Sequence, residues 1–139
     1  MKKIVNAENE GEPIAENTAK LPTDCVSEFL SLLANIRLAH WQADSRTNEH
    51  KALGDLYESV DGSVDEMVEI LLGKNGSRDV DAKGLTLFAN ADLAQLLEAG
   101  MEIVEHIRTE LETGTDDDML NILADISAAL NKAKYLLQL

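Results

Sequence analysis

From Thr23 to Leu139 the sequence contains no proline, and apolar residues recur through that span at intervals of three and four, interrupted at only three places. Proline is the residue that breaks a helix from within, and a period near 3.6 is what one buried helix face requires. The chain is therefore predicted to be all-α with four helices. Aromatic residues make up only 4 % of it, and Leu and Ala dominate the 45 % that is apolar, which suits helix packing better than a β-sandwich. A length of 139 residues holds one core and leaves no room for a second full domain.

The first stripe is Val26, Phe29, Leu30, Leu33, Ile36 and His40, and predicts a helix over about Thr23 to Asp44 with Thr23 or Asp24 as N-cap. Thr47 then caps a second helix, whose stripe Leu53, Leu56, Tyr57, Val60, Val64, Met67, Val68 and Leu71 ends near Leu72, with Gly73 as its stop. The third spans about Ala91 to Thr113 through Leu93, Leu96, Leu97, Ile103, Val104, Ile107 and Leu111, and closes at Gly114. Asp116, Asp117 and Asp118 open the fourth, where negative charge suits the helix dipole; its stripe is Met119, Ile122, Leu123, Ile126, Leu130, Ala133 and Leu137.

Residues 1–22 set Lys2, Lys3 and Lys20 against Glu8, Glu10, Glu12 and Glu16 with no apolar period, and are expected to form a flexible arm ahead of a bundle over 23–139. The breaks inside each helix pair permit only tight antiparallel hairpins. Between the pairs runs GKNGSRDVDAKGLTLFAN, turn-rich, with Val80, Leu85, Leu87 and Phe88 expected to pack against the bundle. About 18 extended residues reach roughly 55 Å, more than the roughly 40 Å of the second helix. This predicts a ferritin-like four-helix bundle with one long crossover between helices two and three, not a simple up-down-up-down bundle.

The formal charge is −14, from 26 acidic and 12 basic residues that do not cluster, so nucleic acid is not an expected partner. No apolar run approaches a membrane span and the N-terminus lacks the apolar stretch of a signal peptide, which predicts a soluble cytoplasmic protein with no membrane association. Cys25, the single cysteine, reads as a small half-buried residue of the first helix.

An intra-bundle di-iron site of the usual kind needs Glu three residues before a His on each of two helices. Arg37, Thr47 and Ile103 stand there instead. The second helix offers His50, Asp61, Asp65 and Glu69 within an arc of about 100°. His50 and Asp65 lie fifteen residues, or roughly 22 Å, apart along the axis, too far to share an ion within one chain. An antiparallel second copy of the helix across a two-fold axis would bring His50 of one chain beside Asp65 and Glu69 of the other. His40 and His50, on either side of one hairpin, can converge on that site. Taken singly, Asp65 and Glu69 read as a solvated helix face, His40 as a half-buried packing residue and His106 as a surface residue. Gly54 and Gly62 lie near the same face, where close approach of another helix would explain them, as would plain tolerance of glycine in a helix.

The segment HWQADSRTNEHKALGDLYESVDGSVDEMVEILLG, from His40 to Gly73, resembles the Dps-like mini-ferritins: a His-Trp pair (His40-Trp41), a second His opening the next helix (His50), a Leu-Tyr pair (Leu56-Tyr57), and Asp65 and Glu69 fifteen and nineteen residues past that His. A weaker likeness continues to Leu139. The resemblance implies iron as substrate, a ferroxidase centre shared between chains with His40 and His50 from one and Asp65 and Glu69 from the other, and a hollow homo-oligomer, a dodecamer in the family, that oxidises Fe(II) and stores Fe(III). Gly54 stands where the family has a carboxylate, with Asp55 one place late and Asp61 as a substitute ligand, and two fewer residues separate the histidines. The second expectation, from a different class, is a non-catalytic structural or assembly protein with a degenerate metal site, such as a phage component, which would make it virion-associated.

Overall fold

The computed structural model describes residues 25–80, 82–87 and 92–139. The arm and the proposed N-caps Thr23 and Asp24, like Phe88, lie outside the described residues. Four helices form, α1 Cys25–Gln42, α2 Asn48–Asn75, α3 Leu93–Glu110 and α4 Asp117–Leu136, and among the described residues there is no strand.

Their ends follow local chemistry. The Thr47 side chain accepts the His50 N–H and caps α2. Asp92 does the same for α3 by accepting from Ala94 and Gln95, so that helix begins two residues later than predicted. α2 runs through Gly73 and stops three residues on, where Gly76 takes the left-handed conformation at φ 62° and returns its N–H to the last turn. The added turn carries Lys74 to α4, whose Asp118 accepts from it at 2.9 Å, with Asp116 at 3.5 Å.

Each helix packs on two others, α1 on α2 and α3 and α4 on α2 and α3, so that α1 and α4 stand diagonally opposite, as do α2 and α3. Glu28 near the start of α1 meets His106 near the end of α3, and Lys74 at the end of α2 meets the start of α4. Every neighbouring pair is therefore antiparallel, and the α2–α3 connection climbs the length of the bundle. This is a four-helix bundle with one long crossover, the ferritin-like connectivity. Among the described residues, no helix is long and apolar enough to cross a membrane.

The core is built from the predicted stripes, with Phe29, Ile36, Leu53, Met67, Ile107, Met119 and Leu123 among its fully buried members. Two positions on α1 depart from expectation. Leu30 turns outward at 41 % exposure while Leu32 takes its place inside, and Cys25 is wholly buried, not half-buried.

The crossover also differs. Val80, Leu85 and Leu87 are all about half exposed, so among its described residues apolar packing does not hold this segment. Polar side chains on one ridge of α1 hold it instead. Ser27 accepts the Lys83 N–H at 2.6 Å, Ser31 accepts the Thr86 N–H at 2.9 Å, and Asn35, 2 % exposed, donates to the Thr86 carbonyl at 2.8 Å. Spacing of i, i+4 and i+8 puts the three on one face, and their bonds satisfy backbone groups that no regular element pairs.

Candidate metal centre

The α1–α2 hairpin is short. Thr47 donates its hydroxyl to the Asp44 carbonyl at 2.6 Å, and Asp44 in turn accepts the Arg46 N–H at 3.0 Å, a contact that holds its carboxyl below the usual carboxylate range. This tight turn brings the last turn of α1 against the first turn of α2, and with them His40 and His50.

The two imidazoles stack, with ring centroids 3.9 Å apart and planes 27° apart. Nδ1 of His40 bonds the backbone carbonyl of His50 at 2.8 Å, and Nδ1 of His50 bonds the carbonyl of His40 at 2.9 Å. A carbonyl only accepts, so each Nδ1 carries a hydrogen, and in the neutral rings each Nε2 holds the lone pair. This reciprocal clasp fixes the orientation of both rings and leaves the two Nε2 lone pairs as the ones that could ligate a metal.

The clasp also accounts for Gly54. A Cβ built there would lie 2.9 Å from Cε1 and 3.2 Å from Nδ1 of His40. It is the His40 ring, from the last turn of α1, that approaches this glycine, and any carboxylate at position 54 would displace it. Gly62 meets nothing within 4 Å inside the chain. Asp55 is engaged elsewhere: Lys51 donates to it at 2.8 Å and holds its carboxyl below the ordinary range.

Asp61, Asp65 and Glu69 are all exposed along α2. Within one chain they are not gathered with the histidines, as the helix rise requires. Beside their ridge, the Arg37 guanidinium lies 3.8 Å over Tyr57 and 5.7 Å from the ring of Trp41, which is 68 % exposed. This cation–π contact ties the exposed Trp41 to Tyr57, which is partly buried against the core.

Among the described residues, one group of three or more ligating side chains does converge: Cys25, Glu28 and His106, whose donor atoms all lie within 4.8 Å of one another. His106 is exposed, as expected of a surface residue, and it also faces Glu28 of α1. Cys25 and Glu28 sit three apart on one helix face, a spacing visible in the sequence; nothing in the sequence ties them to His106 on α3.

A family model matches residues 40–137, from the first histidine of the clasp to the end of α4. The chain belongs to this family, DUF5856, a family of unknown function. No curated protein and no solved structure matches it. The DUF5856 span contains the clasp, Gly54 and the acidic ridge of α2, while Cys25 and Glu28 precede it.

Proposed function

We propose that the chain is a Dps-like mini-ferritin that takes Fe(II) as substrate, oxidises it at sites shared by two chains, and sequesters the product. His40 and His50 of one chain and Asp65 and Glu69 of the other form each site, with Asp61 beside them. The reading is carried by the His40–His50 clasp, because both Nδ1 atoms are spent on backbone carbonyls and both Nε2 lone pairs remain for a metal. Imidazole with carboxylate suits Fe(II), and two chains contributing two ligands each leave positions open for oxygen or peroxide. Exposed acidic residues on α2 support it, as does the exposed Trp41 of the same hairpin, which a two-fold partner would cover.

One observation favours a second reading. The position of the missing carboxylate, Gly54, is closed by the His40 ring. A bundle with a degenerate site acting as a structural or assembly protein accounts for that equally well.

The test separates them. Wild type oxidises added Fe(II), while His50→Ala and Asp65→Ala each abolish oxidation without loss of helicity. Mixing the two inactive variants under conditions that exchange subunits restores activity, because one of the two sites between unlike chains regains both residues. Absence of oxidation by wild type, or no recovery on mixing, rejects the shared site.

A further inference from the structure

We propose that Cys25, Glu28 and His106 form a second metal site, contained within one chain, that binds one Zn(II) and joins the start of α1 to the end of α3. It is independent of the shared iron site. Three features of the cluster point to an ion. The donor set of thiolate, carboxylate and imidazole is one that Zn(II) accepts. Oε1 of Glu28 is shielded from solvent and has no hydrogen-bond partner among the described residues, the kind of orphan that requires an explanation. Its distance to Nδ1 of His106 is 3.6 Å, too long for a hydrogen bond yet close to the roughly 3.4 Å between two ligands on a tetrahedral ion with bonds of about 2.0–2.1 Å.

The backbone supplies the frame. Cys25 and Glu28 are one turn apart on α1, and the antiparallel packing of α1 on α3 sets His106 opposite them. Glu28 and His106 line a cavity of about 470 Å³ between α1, α3 and the crossover, which Glu102 also lines. With three protein ligands in place, the fourth position is left for water. Binding deprotonates the Cys25 thiol and releases its proton to solvent, so affinity falls as pH drops.

Co(II) titrated into metal-free full-length protein reports the site directly, since a thiolate ligand adds a sulfur-to-cobalt charge-transfer band. Wild type is expected to take up one Co(II) with that band, to lose it on adding Zn(II), and to show a melting temperature that rises with Zn(II) concentration. Cys25→Ser removes the band. His106→Gln, at an exposed position where folding is not in question, lowers the affinity read from the band at least tenfold and reduces the thermal shift, whereas His50→Ala leaves the band and its affinity intact. No charge-transfer band in wild type overturns the proposal, as does a His106→Gln variant that binds like wild type. Loss of the band in His50→Ala would deny the independence of the two sites and also overturn it.

Discussion

Replacing Gly54 by Ala isolates the contact on which the histidine clasp rests. In a helix interior this change ordinarily stabilises by about 1 kcal/mol, and Gly62→Ala, where an added Cβ meets nothing within 4 Å, should deliver that gain. At Gly54 the methyl would stand 2.9 Å from the His40 ring, which is tethered through Nδ1 to the His50 carbonyl and stacked on the His50 ring. The ring must turn. Losing the hydrogen bond costs about 0.5–1.5 kcal/mol, and leaving a rotamer minimum costs about the same again. The propensity gain is common to both variants, so Gly54→Ala should be less stable than Gly62→Ala by about 1–3 kcal/mol. Urea unfolding at matched oligomeric mass measures the gap, and imidazole ¹H–¹⁵N spectra show whether His40 has moved. Equal stabilisation by the two substitutions, with His40 resonances unchanged, would refute the account of Gly54.

Asn35→Ala removes the buried amide that donates to Ser31 and Thr86; it should cost about 1–3 kcal/mol and hasten tryptic cleavage after Lys83, and an unchanged cleavage rate would contradict the anchoring role. The Lys74–Asp118 pair sets a pH dependence: Lys74 holds the Asp118 carboxyl below its ordinary value, and Asp118 raises Lys74. With a depressed folded pKa, Asp118 stabilises fully above the unfolded value near 3.9 and loses that contribution as pH falls through the folded value. Wild type should therefore lose stability more steeply than Lys74→Met on acidification below about pH 4, and parallel acid limbs would rule the pair out.

The four helices were legible because a buried stripe needs the same period wherever it lies, and Phe29, Leu53, Val104 and Leu123 carry that period plainly. Helix ends were less so. Gly73 and Gly76 are both plausible stops, and only the reach of Lys74 to Asp116 and Asp118, set by tertiary packing, favours the later one. The crossover misled because Val80, Leu85 and Leu87 suggest burial, while Ser27, Ser31 and Asn35 look like a wetted helix face until a strand of backbone is laid along them. At the site, the meeting of His40 and His50 follows from a short hairpin. Gly54 could not be interpreted without the ring above it, and the convergence of Cys25, Glu28 and His106 depends on which helix neighbours α1, which periodicity does not encode.

The serine–asparagine ridge that holds the crossover has a consequence for the order in which the chain assembles. Its three bonds join residues separated by 51, 55 and 56 positions, whereas the α1–α2 hairpin closes across a handful. Loop-closure entropy grows with the logarithm of length, so these bonds carry about 2 kcal/mol more closure cost than the hairpin, without apolar burial to offset it. They form after the two hairpins have docked, and they are the first to open when the native state fluctuates. The amides of Lys83 and Thr86 then exchange with solvent through local opening, while those of α2 and α4 wait for the whole bundle to unfold.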